Sequence, residues 1–291
     1  MLRMAAVLAG IVLAALLGAV QLASSAAYGD LAVRPSLPAL LHDRAPGLLR
    51  PFLGGAAAQA AAALHNGDLE TAQRLVATLP PGPETADLRG RIAEAKGDRS
   101  GAIAAYVEAG DVVRAQALID ALATSDPATA LRDQQRLVAA LRDNAGAAEV
   151  TGEAWWRLGQ LQAAAGYRDA ARKPGYWHDA ETSYEHALAY GPNEETYLLA
   201  AGFQSLANGD VRAAARWYAH AAEVVPDSAD AYAGLAWTAA AAGDCAPARE
   251  YLQRARALYA RATATGTTTA AKPLDPVDNP LAGAALKRCT T

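Results

Sequence analysis

His186 and His220 are separated by the same interval as His220 and Arg254, and two imidazoles on equivalent positions are the beginning of a metal site. A zinc site needs three or four protein ligands. Arg254 takes the third equivalent position, and no carboxylate or cysteine joins the pair at ligand spacing. The histidines therefore read as a solvated outer face, and no metal is expected. Cys245 and Cys289 are too few and too far apart for a zinc motif or a disulfide-dense scaffold. If the chain is exported, an oxidising compartment permits one disulfide between them, pinning the tail and contributing about 4 kcal/mol in the loop-entropy account. The chain lacks G-x-S-x-G, H-E-x-x-H and G-x-x-x-x-G-K-[ST], and has no G-x-G-x-x-G after a strand. No catalytic residue and no cofactor is expected, and the chain reads as a non-enzyme.

Another cluster could recognise rather than react. Tyr167, Tyr176 and Trp177 are interleaved with Arg168, Arg172 and Lys173 in the stretch GYRDAARKPGYW. A loop of mixed aromatic and basic residues shown by a rigid scaffold is a common recognition device. A lengthened loop that is merely tolerated has the same composition, and both readings stay open.

The elements that would position these residues follow from composition. Apolar residues make up 52% of the 291, much of that alanine, and aromatic residues only 6%. Alanine is the strongest intrinsic helix former, so helices packed closely through small side chains are expected. A net charge of -4 gives no general attraction to nucleic acid.

Five Gly-Asp pairs punctuate the chain, at Gly67, Gly97, Gly110, Gly209 and Gly243. Each has alanine four residues after the aspartate, at Ala72, Ala102, Ala115, Ala214 and Ala248. Glycine supplies the left-handed residue that stops a helix, and aspartate caps the next one. Alanine one turn later is small where two helices cross. The unit specifies a helix hairpin.

Ala180, Ala214 and Ala248 recur at a constant interval, which is the tetratricopeptide period of about 34 residues. Trp155, Leu158 and Gly159 match the first half of that pattern, and Ala180, Tyr184, Ala187 and Pro192 the second. The next unit has Leu198, Ala201, Gly202, Ala214, Tyr218, Ala221 and Pro226, and the third has Tyr232, Leu235, Ala236, Ala248, Leu252 and Ala255, with Ala260 where proline would fall. The chain thus resembles the tetratricopeptide repeat family, most clearly from Gly152 to Ala260. Upstream, the Gly-Asp units at Gly67, Gly97 and Gly110 are unevenly spaced and closer together than that period, and they read as degenerate hairpins. Nine residues more than the repeat allows separate Gly159 from Ala180.

The resemblance implies an all-α fold, an α-solenoid of stacked antiparallel hairpins whose first helices line a concave groove for a protein or peptide partner. Carried over by position, the groove side holds Trp156 and Gln160, then Thr196, Leu199 and Phe203, then Asp230, Ala233 and Trp237. Phe203 and Trp237 hold equivalent places in successive repeats and would be binding anchors. The other reading puts these rings in the core.

Met4 to Ala23 is a run of twenty uncharged residues, long enough at about 1.5 Å per residue to span a bilayer core. With Arg3 before it, the N terminus is expected in the cytoplasm and the repeats across the membrane. Small residues at Ser24–Ala26 also fit a cleaved signal peptide, and either route exports the rest of the chain. The expected organisation is an anchor or signal over 1–27, a Pro-rich linker over 28–53, degenerate hairpins over 54–151, three repeats over 152–262, and a flexible tail with a short helix near Leu281 to Arg288 over 263–291. The functional expectation is a membrane-anchored, non-catalytic scaffold in cell-envelope assembly. The alternative is an accessory subunit docked on a membrane enzyme or transport complex through the N-terminal helix.

Overall fold

The computed structural model describes residues 55–142, 148–169, 171–264, 275–280 and 282–290. The expected membrane anchor or signal over 1–27 and the expected Pro-rich linker over 28–53 lie outside the described residues. Among those described, the regular elements are all helices, and none is long and apolar enough to cross a membrane. The chain divides into two compact units, Met1–Ile119 and Asp120–Thr291.

In the first unit, α1 (Ala56–His65) pairs with α2 (Leu69–Ala77), and α3 (Pro83–Ala95) pairs with α4 (Arg99–Ala109). Helix α3 also packs on α1 and α2, so the second hairpin nests against the first. Ala60, Ala61, Ala72, Val76, Leu88 and Ile92 form the shared core. Helix α5 (Val112–Ser125) carries the division between the units.

In the second unit, α6 (Pro127–Arg142) packs on α7 (Ala148–Arg168), which pairs with α8 (Lys173–Tyr190). The pairs α9 (Glu195–Ala207) with α10 (Val211–Val224), and α11 (Ala229–Ala242) with α12 (Cys245–Ala264), follow in order. Helix α8 packs on α9, and α10 on α11, so the three hairpins stack in sequence order. A 3-10 turn (Pro276–Asp278) leads to α13 (Gly283–Thr290), which lies on α11 and α12.

The Gly-Asp pairs do at every turn what their chemistry allows. Gly67, Gly97, Gly110, Gly209 and Gly243 are the positive-φ residues among those described, with φ between 77° and 88°. After each, the aspartate N–H donates to the carbonyl five residues back, on Ala63, Ala93, Tyr106, Ser205 and Ala239, at 2.9 Å each time. This closes the preceding helix. At four of the pairs the same aspartate's carboxylate accepts from the amide three residues on, at Thr71 (3.0 Å), Gly101 (2.9 Å), Arg114 (3.1 Å) and Ala213 (2.8 Å). One residue thus satisfies orphan groups of two helices. The alanines one turn later, Ala72, Ala102, Ala115, Ala214 and Ala248, are completely buried.

Two expectations are corrected here. The Tyr167–Trp177 stretch is not a lengthened loop: α7 runs to Arg168 and α8 starts at Lys173. The extra residues extend the end of α7 and the start of α8, and with an earlier start for α7 the two helices have 21 and 18 residues against 13 and 14 in the next hairpin. The tail is not loose where it is described. From Asp275 it returns to the last hairpin, and its helix spans Gly283–Thr290 rather than Leu281 to Arg288, with Leu286 and Cys289 buried.

Candidate functional site

Tyr218 sets the geometry of a cleft in the second unit. Its ring reaches out of α10 because two facing helices carry glycine. A Cβ on Gly202 of α9 would lie 3.0 Å from its Cε1, and one on Gly234 of α11 would lie 2.2 Å from its Cδ1. Gly159 of α7 admits Tyr184 of α8 in the same way, with a Cβ there 2.5 Å from Cε1. Both rings are buried, yet both line a cleft of about 510 Å³.

Three first helices supply the rest of the wall. Helix α7 gives Gln160, Ala163, Ala164 and Tyr167, and α9 gives Leu199, Ala200, Phe203 and Gln204. Helix α11 gives Asp230 and Trp237. The alanines leave room between the larger side chains, which is how an alanine-rich array makes a hollow without losing its core.

The cleft's rings brace one another. Trp237 meets Phe203 edge-on at 6.3 Å between centroids and Tyr218 at 6.5 Å. Its indole N–H donates to the Pro276 carbonyl at 2.8 Å. The segment bearing Pro276 is held in turn. Arg256 makes two hydrogen bonds to the Asp275 carboxylate (2.9 and 3.0 Å), Arg249 donates to the Cys289 carbonyl (3.1 Å), and a disulfide joins Cys245 to Cys289.

Among the described residues Asp230 is the one carboxylate lining the cleft, and no arginine or lysine lines it. It is exposed, and the Tyr259 hydroxyl donates to its Oδ1. Burial raises the Tyr259 phenol far above its ordinary range, and the hydrogen bond to Asp230 and that group's charge raise it further. Burial likewise raises Tyr218 and Tyr184, and the Asp230 charge adds to the effect on Tyr218. These phenols are neutral donors and acceptors at ordinary pH.

Among the expected groove residues, Gln160, Leu199, Phe203, Asp230 and Trp237 come together in this cleft, and Tyr167 of the supposed loop joins them. Trp156 does not line it. Its ring lies 6.3 Å from that of Tyr197 and under the Arg157 guanidinium. Thr196 is exposed at the start of α9, its hydroxyl 3.4 Å from Glu194 Oε1. Ala233 is a correction: it is completely buried beside Tyr232, Ala255 and Leu258. Trp237 is also more than an open anchor, since its polar edge is already spent on Pro276.

Within the inserted stretch, Trp177 is 6% exposed, with Tyr167 edge-on at 5.2 Å and the Lys173 ammonium 3.9 Å from its centroid. Tyr176 is half-buried. Arg168 and Arg172 are exposed, and Arg172 pairs with Asp169 at 3.4 Å. His186 stacks on Trp155 at 4.3 Å, and His220 shares a 3.1 Å hydrogen bond with Asn193. Among the described residues no group of three or more His, Cys, Asp or Glu could hold a metal ion.

Sequence reasoning matched Tyr184 and Tyr218 to the second half of the repeat pattern and left them out of the groove, whereas both line the cleft. The available signal was the glycine each one faces. The cleft brings together apolar walls, amides, phenols and, among the described residues, one carboxylate.

No family model and no curated protein matches the chain. Among solved structures it is similar to MamA protein, at 17% identity over 65% of this chain and 98% of that one, with a TM-score of 0.47. A second MamA structure aligns at 18% identity over 60% and 96%, with a TM-score of 0.44. The structure of BtubC (BKLC) from P. vanneervenii aligns at 16% identity over 88% and 91%, with a TM-score of 0.42.

Proposed function

We propose that this chain is a non-catalytic docking scaffold whose second unit holds a segment of a partner protein in the cleft between α7, α9 and α11. One observation carries the reading: three successive hairpins each contribute side chains to a single apolar hollow walled by aromatic residues on rigid helices. Such a surface offers buried area at low entropic cost, and it suits an extended or helical segment laid along it.

The scaffold works at a membrane, held by the apolar run of residues 4–23, with its repeats exported and serving cell-envelope assembly. The Cys245–Cys289 disulfide supports export, since such bonds persist in oxidising compartments. Anchoring raises the local concentration of scaffold near membrane partners, so modest cleft affinity suffices.

Site-specific photocrosslinking in cells tests the cleft. A crosslinking side chain at Gln160, exposed on the cleft wall, is expected to trap a discrete protein species. One at Glu185, exposed on α8, is expected to trap none. Equal trapping at both positions, or none at either, overturns the reading. Membrane retention after replacement of residues 1–27 by a cleavable signal peptide would overturn anchoring by residues 4–23.

A further inference from the structure

Four aromatic rings outside the cleft carry a cation from the chain itself. Arg114 sits 5.6 Å from the Tyr106 centroid, Arg157 6.0 Å from Trp156, Lys173 3.9 Å from Trp177 and Arg254 4.1 Å from Tyr232. Among the described residues, the cleft rings of Phe203, Tyr218 and Trp237 take part in no such pair. They face a hollow whose one charged side chain among the described residues, Asp230, is an acid.

Tyr218 adds an independent observation. It is 1% exposed, it lines the cleft, and its hydroxyl is buried with no hydrogen-bond partner among the described residues. A buried hydroxyl left without a partner is destabilising, and its persistence calls for a reason. The first unit shows the satisfied form of the same arrangement. There Tyr106 packs against Gly90 as Tyr218 does against Gly202, at the same separation in sequence, and the Tyr106 hydroxyl donates to Glu94 at 2.8 Å. At the position matching Glu94, four residues after the glycine, the second unit has Leu206. The carboxylate that satisfies the tyrosine in the first unit is absent, and Asp230 stands on the neighbouring helix instead.

We propose that the cleft recognises a cationic side chain, an arginine or lysine flanked by apolar residues in the partner segment. The cation lies among the Phe203, Tyr218 and Trp237 rings, pairs with the Asp230 carboxylate, and donates a hydrogen bond to the Tyr218 hydroxyl oxygen. Ring faces attract cations, and more strongly once water is excluded. A carboxylate at the rim fixes the charge and rejects acidic segments. This rests on the docking reading above and specifies the chemistry of its partner.

The test pans a displayed library of random dodecapeptides on the oxidised full chain in detergent micelles. Enriched peptides are expected to share one Arg or Lys between apolar residues. For a selected arginine peptide, replacing the arginine by neutral citrulline is expected to weaken binding roughly tenfold to a hundredfold, as loss of one partner of a desolvated charge pair does. Asp230→Asn, which keeps an acceptor for Tyr259, is expected to cost a similar factor and to leave citrulline and arginine peptides nearly equal. Tyr218→Phe removes only the hydroxyl and is expected to weaken the arginine peptide more than the citrulline one.

Enriched peptides that are neutral or acidic, or that bind Asp230→Asn as tightly as the unaltered chain, overturn the cation proposal while leaving cleft docking intact. No enrichment at all, or enrichment undiminished by Phe203→Ala, overturns both. Unchanged circular dichroism and melting temperature in Asp230→Asn and Tyr218→Phe separate lost recognition from lost fold.

Discussion

The Trp237 indole N–H and the Pro276 carbonyl meet at 2.8 Å, which makes one wall of the cleft dependent on a segment that lies beyond the last repeat. That segment is held by the Cys245–Cys289 disulfide across 44 residues of sequence. Closing a loop of that size is worth about 4 kcal/mol in the chain-entropy account. Cys289→Ser is therefore expected to lower the melting temperature of the second unit by roughly 8–15 °C, and to shift Trp237 emission to longer wavelength as water reaches the indole. Calorimetry and tryptophan fluorescence check both, with dithiothreitol on the unaltered chain giving the same result. Two titratable thiols in the oxidised protein would remove the basis of the prediction.

Glycine and tyrosine interlock at the hairpin crossings. A Cβ on Gly159 would stand 2.5 Å from Tyr184 Cε1, and one on Gly90 2.6 Å from Tyr106 Cε1. Gly159→Ala and Gly90→Ala are expected to destabilise by about 1–3 kcal/mol through overpacking, despite alanine's better helix propensity. Gly175, near the start of α8, has nothing within 4 Å of the place its Cβ would occupy. Gly175→Ala is expected to be neutral or stabilising by up to about 1 kcal/mol. Denaturant titration of the three variants distinguishes the interlock from ordinary helix propensity.

The same interlock shows where the sequence was legible. Turn chemistry is local, so Gly-Asp announced every left-handed residue among those described, and four aspartate caps, without tertiary knowledge. The first unit was harder to read because the intervals from Gly67 to Gly97 and from Gly97 to Gly110 are unequal, while Gly90 and Tyr106 keep the same separation as Gly202 and Tyr218. That regularity becomes meaningful only when the ring is seen against the glycine. Phe203 and Trp237 were assignable to the first-helix face by repeat position. The Pro276 contact was not, because an irregular segment carries no periodicity to project. Ala233 went wrong for a related reason: on an alanine-rich helix, groove and core faces have the same composition.

Tyr197 is buried and close to the charges of Glu153, Glu194 and Glu149. Burial first, then those charges, push its phenol up to about 12. Burial also raises Tyr106, Tyr184, Tyr218 and Tyr259. A phenol is charged when deprotonated, and the unfolded chain ionises near about pH 10. As pH rises past that value the unfolded state holds fewer protons than the folded one, so stability present below it is lost toward Tyr197's folded value. The urea midpoint is expected to hold from about pH 7 to 9 and to fall steadily from about 10 to 12. Phenolate absorbance is expected to rise with unfolding rather than before it. Tyr197→Phe should flatten the first part of that fall, and an unchanged slope would mean that Tyr197 ionises freely in the folded chain.

The extended hairpin of α7 and α8 offers a test that separates stiffening from recognition. Its added length brings a second glycine–ring contact, since a Cβ on Gly166 would lie 2.4 Å from Trp177 Cδ1. Trp177 is buried between Tyr167 and Lys173, whereas Arg168 is exposed. Truncating a buried tryptophan costs about 3–5 kcal/mol, removing a cation from a ring about 0.5–2 kcal/mol, and changing an exposed arginine about 0.5 kcal/mol or less. Trp177→Ala, Lys173→Ala and Arg168→Ala are thus expected to destabilise in that order, as denaturant unfolding would show. Tyr167 lines the cleft while bracing Trp177, so peptide binding is expected to weaken in Trp177→Ala through displacement of Tyr167 and to stay unchanged in Arg168→Ala. Should Arg168→Ala abolish binding at unaltered stability, the exposed basic turn itself would be the recognition element, and the extra length would exist to present it.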